Sequence, residues 1–379
     1  MTSTRFLHTS DWQLGMTRHY LEGEAQSRYT GDRVETIRRI GELARERGCA
    51  FVVVAGDVFE HANLSRRDVG RALDAMGSVG LPVYLLPGNH DPLGPGSLWG
   101  RPDFRDLAPA NVVLLDGTGP HPVVDGVELV AAPWRSKRPD TDPVAPALEG
   151  LEADGTLRIV VGHGMLDELD PDRTSLTTVR RAPLDEALAR GAVHYVALGD
   201  RHIRWPEDGH GAIHYSGTHE STGFREPGRG HVLEVDLDDD GPRVTAHPVG
   251  QWEHRVLTRH LDGAEDVAAL RAELAALTPK ERIVLKTVFA GTLNLSEAAA
   301  LEALLEQQAE VFASLNAWER HTDLVVVPDE HEFEDLDVGG YAADAVAELR
   351  ATAASDAEEA PAAGDALRLL YRLVGGAAR

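Results

Sequence analysis

Cysteine is nearly absent. The one thiol, Cys49, rules out an internal disulfide framework, and its place before the apolar run AFVVVAG marks it as a small buried hydrophobe. Lysine is almost as scarce, occurring at Lys137, Lys280 and Lys286, so arginine carries nearly all the positive charge. That charge is itself in short supply: 37 basic against 62 acidic residues leave a formal net charge of −25. Such a balance argues against an autonomous, non-specific nucleic-acid binder, whose footprint is basic. It leaves room for a nucleic-acid enzyme whose metal ions neutralise phosphate locally, or whose partner subunit supplies the basic surface. No apolar run approaches the roughly 20 residues needed to cross a bilayer. The opening MTSTRFLHTSDWQ has no basic segment followed by a long apolar one. The expectation is a cytoplasmic protein without membrane attachment. No G-x-x-x-x-G-K-[ST] occurs, so these residues carry no P-loop ATPase.

What is present is the pattern of a layered α/β protein. Over about residues 1–250 the runs RFLHTSD, AFVVVAGD, PVYLLPGNHD, VELVAAP, RIVVGH, VHYVALGD, AIHYSG and GHVLEVDL read as strands. Amphipathic stretches lie between them. DRVETIRRIGELARERG sets Val34, Ile37, Ile40 and Leu43 on one face and ends at Gly48, and SRRDVGRALDAMGSVGLP behaves similarly. Residues 251–328 read as a smaller α/β domain: the strand ERIVLKTVFAGTL, a helix over LSEAAALEALLEQQAEVFASL capped by Ser296, and the strand TDLVVVPDE. That helix would present Leu301, Leu304, Leu305, Phe312 and Leu315 as its apolar positions. Residues 329–379 hold the acidic segment DEHEFEDLD, the helix GYAADAVAELRATA, the linker SDAEEAPAAG and a last helix, DALRLLYRLV.

The strands end in polar residues of one chemical kind. Asp11, Asp57, Asn89 with His90, His163, and Asp200 with His202 all follow apolar runs, where open α/β sheets place their sites. A lone aspartate after a strand is ordinarily a helix cap or turn residue, and a lone histidine a surface or core side chain. The concurrence of five such endings points instead to a metal centre. Their mixed oxygen and nitrogen donors suit Mn²⁺, Fe, Zn²⁺ or Mg²⁺ rather than a thiolate metal. Paired ions sharing one carboxylate polarise a phosphoryl group and activate water for in-line attack.

The motifs DWQ, GDVFE, GNHD, GHG and GDRH, in that order, resemble the D-x-H, G-D, G-N-H-[D/E], G-H and G-H-x-H pattern of the calcineurin-like metallophosphoesterases. Within that superfamily, TSDWQLG, VVVAGDVFE, PVYLLPGNHD and the block YVALGDRHIR…IHYSGTHESTGFRE are most similar to SbcD-type DNA repair exonucleases. The likeness covers about residues 5–236. It implies a two-sheet α/β/β/α sandwich, a small α/β capping domain and a helical tail. It also implies a phosphodiesterase that cuts DNA, as exonuclease or endonuclease, with two divalent ions. Carried over by position, Asp57 would bridge the ions, with Asp11, Gln13 and His202 completing one site and Asn89, His163 and Asp200 the other. His90 would be the catalytic histidine, and Asp91 would orient its second nitrogen.

Two positions depart from the pattern: Gln13 and Asp200 stand where histidine is usual. Exchanging imidazole for oxygen shifts the expected metal toward Mn²⁺, with Mg²⁺ as the alternative. The same departures leave open a catalytically weak scaffold subunit. Glu60 stands where SbcD-like proteins have aspartate, with His61 one residue later as a candidate phosphate contact. Arg201, Arg204 and Arg225, and the cluster Arg135, Lys137 and Arg138, are further phosphate candidates; Trp12, Trp99 and Trp134 could stack on bases or be buried. The expected partners are DNA and an SMC-like coiled-coil ATPase of the SbcC type. The tail helices would meet that ATPase through Leu367, Leu370, Tyr371, Val374, Tyr341, Ala345 and Leu349 or dock on their own domain, and a homodimer is left open. A phosphodiesterase or phosphatase for small nucleotides is the competing enzymatic reading.

Overall fold

The computed structural model describes residues 2–172, 175, 177–326, 341–353, 355 and 359–376. The chain divides into two compact units, Met1–His254 and Arg255–Arg379.

In chain order the first unit contains β1 (Thr4–Thr9), α1 (Gly23–Glu46), β2 (Phe51–Val54), α2 (Arg66–Ser78), β3 (Val83–Leu85), α3 (Pro102–Arg105) and β4 (Val112–Leu114). Next come β5 (Gly119–Val124), β6 (Val127–Ala131), β7 (Leu157–His163), α4 (Arg181–Ala189), β8 (Tyr195–Gly199), β9 (Ile213–Tyr215), β10 (His231–Asp238) and β11 (Gly241–Pro248). They make two sheets, one ordered β11-β10-β1-β2-β3-β4 and the other β5-β6-β7-β8-β9. Strands β1 to β4 run parallel, as do β6 to β9. Phe6, Phe51, Val53, Leu129, Ile159 and Tyr195 fill the core between the sheets. Residues of α1 and α2, including Ile37, Ile40, Val69 and Leu73, close the outer face of the first sheet. Leu184 and Ala187 of α4 join the apolar cluster on the outer face of the second. This is the layered α/β/β/α arrangement the motifs implied.

Every strand expected in this unit forms, and β4, β5 and β11 are additional to the expectation. All three are edge strands, partly exposed, and β5 and β11 carry Pro120, Pro122, Pro242 and Pro248, residues that deny a central strand but are tolerated at an edge. Helix α1 starts well before the expected Asp32. Its first turns bury Ala25 and Tyr29, and the Tyr29 ring meets Trp252 edge-on at 4.9 Å. Cys49 is buried, and Gly48 ends the helix region at φ 66°.

The second unit is built on β12 (Glu253–Leu261), α5 (Ala264–Ala276), β13 (Ile283–Leu293), α6 (Leu295–Ala309), β14 (Ser314–Ala317), β15 (Asp323–Val326), α7 (Tyr341–Ala353) and α8 (Ala360–Gly376). Two sequence expectations need correction. The cap of α6 is Asn294, not Ser296: the Asn294 side chain accepts from Glu297 N at 2.9 Å and Glu297 Oε2 accepts from Asn294 N at 2.9 Å, a reciprocal capping box. The helix also stops at Ala309, so Phe312 lies beyond it and Leu315 lies on β14, although both still join the unit's apolar core. Leu367 of α8 and Val346 of α7 are buried against Leu295 of α6, with Leu349 and Leu370 packed beside them. The acidic segment at 329–337 and the side chains of Tyr371 and Val374 lie outside the described residues. Among the described residues no helix is long and apolar enough to cross a membrane.

Candidate metal centre

Parallel strands deliver their C-terminal loops to one place. The loop after β1 is fastened to the loop after β2 by Asp11 N→Gly56 O (3.1 Å), Gln13 N→Asp57 O (2.8 Å) and Leu14 N→Val58 O (2.9 Å). Gly56 (φ 91°) and Gly88 are required by close approach: a β-carbon at the first would strike the His163 ring, and at the second the Asp57 carboxylate and backbone. Among the described residues, the non-glycine positions with left-handed backbone are Asp11 (φ 52°), Gln13 (41°), Asp57 (51°) and Asp200 (90°). Such conformations cost about 1–3 kcal/mol each and gather at functional sites.

The side chains converge. Asp11, Asp57 and His163 are buried, with ligand atoms within 4.8 Å of one another. His163 Nδ1 lies 2.9 Å from the Ala55 carbonyl, which takes its proton in the neutral ring and turns Nε2 inward. There Nε2 faces Asn89 Oδ1 at 2.7 Å, Asp57 Oδ1 at 3.4 Å and Asp200 Oδ1 at 3.8 Å. Four acceptors aimed at each other are unstable without a cation among them. Across the cluster, His202 Nδ1 meets Glu226 Oε1 at 2.9 Å and Thr222 Oγ1 at 2.8 Å, and Nε2 points to Asp11 Oδ1 at 3.9 Å. Asp11 also accepts from Ser10 Oγ (2.6 Å) and Asp200 N (3.1 Å). Gln13 is buried, and its Oε1 has no hydrogen-bond donor.

The electrostatics carry the same demand for positive charge. Burial raises the Asp11 and Asp200 carboxyls above their ordinary range. Burial would also raise Asp57, yet His163 and His90 hold it below. Burial disfavours a charged imidazole, but Asp57, Asp11 and Asp200 drive His163 well above its usual value; against the same penalty, Glu226 and Asp11 lift His202 to about 9. Where protons are the only cations, the histidines take them. The donor set of buried carboxylates, carboxamide oxygens and imidazoles fits divalent ions.

His90 stands at the rim, half-buried. Its backbone N–H donates to Asp57 Oδ1 (2.9 Å), and its Nε2 lies 3.9 Å from Asp57 Oδ2. The expected partner of its second nitrogen is corrected by the structure. Nδ1 faces the Glu60 carbonyl at 3.0 Å and Glu60 Oε2 at 3.7 Å, whereas Asp91 turns away to accept from Phe59 N (2.9 Å) and Gly88 N (2.8 Å). Asp91 is fully buried, and burial together with Asp57 pushes its carboxyl up to about 8. It braces the GD loop against the GNHD loop. Of the other candidates, Arg201 flanks the cluster with a buried, unpartnered Nε, whereas His61 is exposed and accepts from Asn63 N at 3.2 Å, apart from the cluster. Arg225, Arg135, Lys137 and Arg138 are exposed. Trp12, Trp99 and Trp134 are buried and offer no stacking surface; Trp134 Nε1 donates to His163 O at 2.6 Å and Trp99 Nε1 to Asp91 O.

Residues missed in the sequence hold this frame from behind. Arg33 of α1, buried, donates through Nη2 (2.6 Å) and Nε (3.2 Å) to the carbonyl of Trp12, between Asp11 and Gln13. Thr218 Oγ1 donates to Asp11 O at 2.9 Å. Nothing in the local pattern of α1 separates Arg33 from its solvent-facing arginines; Glu226, at the end of the YSG block, at least lies within a motif.

The sequence profile of the calcineurin-like phosphoesterases matches residues 4–217, which contain every candidate metal ligand. The chain belongs to that family. As a calcineurin-like phosphoesterase it is a metallophosphoesterase hydrolase, from a family that works with divalent metals, and the buried Asp11–Asp57–His163 group fits such ions. Among curated proteins it is 26% identical over 245 residues to the DNA double-strand break repair protein Mre11 of Archaeoglobus fulgidus, covering 59% of this chain and 51% of that one. It is 30% identical over 91 residues to a subunit of the nuclease SbcCD of Bacillus subtilis, 23% of this chain and 22% of that one. This phosphoesterase thus spans about half the length of the first relative and about a fifth of the second. Both likenesses support the SbcD-type branch read from the motifs. Among solved structures, TT1561 of Thermus thermophilus aligns with TM-score 0.41 and 12% identity over 65% of this chain and 100% of its own. Purple acid phosphatase PPD1 from yellow lupin seeds aligns with TM-score 0.35 and 11% identity over 62% and 49%.

Proposed function

We propose that this phosphoesterase is a metal-dependent DNA nuclease subunit that hydrolyses phosphodiester bonds as exonuclease or endonuclease in DNA repair, together with an SMC-like coiled-coil ATPase. One observation carries the reading. The YVALG…YSG block that narrows the resemblance to the nuclease branch is built into the metal centre, Thr218 holding the backbone of Asp11 and Glu226 the ring of His202. The named relatives, a break-repair protein and a nuclease subunit, support the same substrate class.

In this reading Asp57 would be shared between two divalent ions, with Mn²⁺ the expected metal. Asp11, Gln13 and His202 would hold one; Asn89, His163 and Asp200 would hold the other. When bound, such ions would supply polarisation of the phosphoryl group and activation of the attacking water. His90, with Glu60 against its Nδ1, contacts the phosphate and protonates the leaving oxygen. Arg201, between two candidate ligands in sequence and with a buried, unpartnered Nε, would contact a phosphate oxygen. The second unit would correspond to the family's small capping domain. Its helices α7 and α8 reach the ATPase through outward residues, Tyr341 (89% exposed) and Leu369 (56% exposed), since Leu367 is committed to the unit's own core.

The test is Mn²⁺-dependent cleavage of a labelled linear duplex and its single strand, beside a small aryl phosphodiester, for the wild type and His90→Asn, with and without the ATPase. DNA cleavage lost in the variant by about 10²–10⁴-fold is the expected result. Turnover of the small diester alone would replace this reading with a small-nucleotide phosphodiesterase.

A further inference from the structure

Gln13 and Asp200 depart from the family pattern in different subsites, and the two departures complement each other. With histidine at both positions, the set around Asp11 would hold a private carboxylate and two imidazoles, and the set around Asn89 would hold no private carboxylate at all. With Gln13 and Asp200 the sets match. Each comprises one private carboxylate (Asp11 or Asp200), the shared Asp57, one carboxamide (Gln13 or Asn89) and one imidazole (His202 or His163).

Both substituted positions carry features compatible with ligands. Their backbones are left-handed, at φ 41° and 90°, in conformations that side-chain-bearing residues resist. Gln13 Oε1 is buried without a donor, an unsatisfied polar atom that a bound cation would meet. Asp200 Oδ1 lies 3.8 Å from His163 Nε2, on the side where Asn89 and Asp57 converge. Imidazole favours zinc, whereas carboxylate and carbonyl oxygens suit manganese and magnesium.

We propose that Gln13 and Asp200 are a compensating pair: together they give the two ions equivalent, oxygen-rich donor sets with one imidazole each, so the centre takes two ions of one hard metal and discriminates against zinc more strongly than a centre with histidine at either position. This rests on the metal-centre reading above. The full chain, stripped of metal, is dialysed against equimolar Mn²⁺ and Zn²⁺ and its metal content measured by mass spectrometry, beside Gln13→His, Asp200→His and Gln13→Glu. Electron paramagnetic resonance of the Mn²⁺-loaded proteins runs in parallel, and circular dichroism confirms folding. The wild type should bind two ions per chain and show a spin-coupled manganese signal. Each histidine reversal should raise the Zn:Mn ratio by at least about tenfold, whereas Gln13→Glu, which adds no imidazole, stays within about threefold of wild type. A wild type that saturates at one ion, histidine variants with an unchanged ratio, or a Gln13→Glu shift as large as that of Gln13→His would each overturn the pair. Two bound manganese ions without DNA cleavage would count against the nuclease reading alone, because the metal readout does not depend on substrate.

Discussion

Glu60 shows how one side chain acquires a role from its surroundings. It faces His90 Nδ1 through both its carbonyl and its carboxylate, and Oε2 is otherwise buried without a partner. Glu60→Gln keeps the carbonyl contact and removes the charge. Its kcat should fall about tenfold, less than in His90→Asn, with KM within about twofold, as expected for a group acting through the catalytic ring. A larger KM change than kcat change in steady-state assays would reassign Glu60 to substrate binding. Arg33→Met should be costlier to the fold than to chemistry. It strands the Trp12 carbonyl in the interior and should lower stability by about 2–4 kcal/mol in denaturant titration. The contrast marks what is legible at this scale. Asp11, Asp57, Asn89, His163 and His202 announce themselves because each ends an apolar run. Arg33 and the bracing role of Asp91 do not, because their partners lie on other segments (Trp12 O for Arg33, Phe59 N for Asp91), and no local periodicity encodes such a pairing.

Elements are legible where burial is two-sided and obscure where it is not. β2, β7 and β8 are buried along their whole length and appear as plain Val- and Leu-rich runs. β5 alternates half-buried and exposed residues and holds two prolines, so it reads as loop until its pairing with β6 is seen. The start of α6 is ambiguous by two residues because serine and asparagine are equally good caps in isolation; Glu297 settles the matter by closing its box on Asn294. The two candidates separate by experiment. Asn294→Ala should destabilise the second unit by about 1 kcal/mol, whereas Ser296→Ala should cost less than about 0.5 kcal/mol in urea unfolding. Equal losses would mean that Ser296 shares the capping load through its 2.8 Å bond to Asn294 Oδ1.

Across the whole molecule the buried histidines set an acid limit. His8 is enclosed beneath the metal loops, its nitrogens facing Tyr195 OH (3.1 Å) and Leu198 O (3.2 Å), and burial, aided by His214, lowers it to about 3. Burial and Arg33 hold His219 well below its ordinary value. The sign follows directly. Between the unfolded value near 6.5 and the folded value, the unfolded chain binds protons that the folded chain refuses, so stability is full above pH 6.5 and is lost as pH falls. For His8 the loss should be about 2 kcal/mol at pH 5. His163 and His202, shifted upward, would oppose this in metal-free protein, so the comparison belongs at saturating Mn²⁺. There the melting temperature should drop between pH 7 and pH 5 by several degrees, and His8→Gln should flatten the slope. A slope unchanged in His8→Gln would place the sensitivity elsewhere.

The indole of Trp134, donating to the carbonyl of His163 with its ring edge-on to that imidazole at 6.1 Å, is also a light source wired to the centre. Manganese is paramagnetic and quenches nearby excited indoles, so metal arrival should dim the protein's ultraviolet emission in a saturable way. Trp134→Phe should reduce that response while leaving the candidate ligands in place. The chain thereby carries its own optical gauge of metal loading, readable by titration without substrate, label or partner.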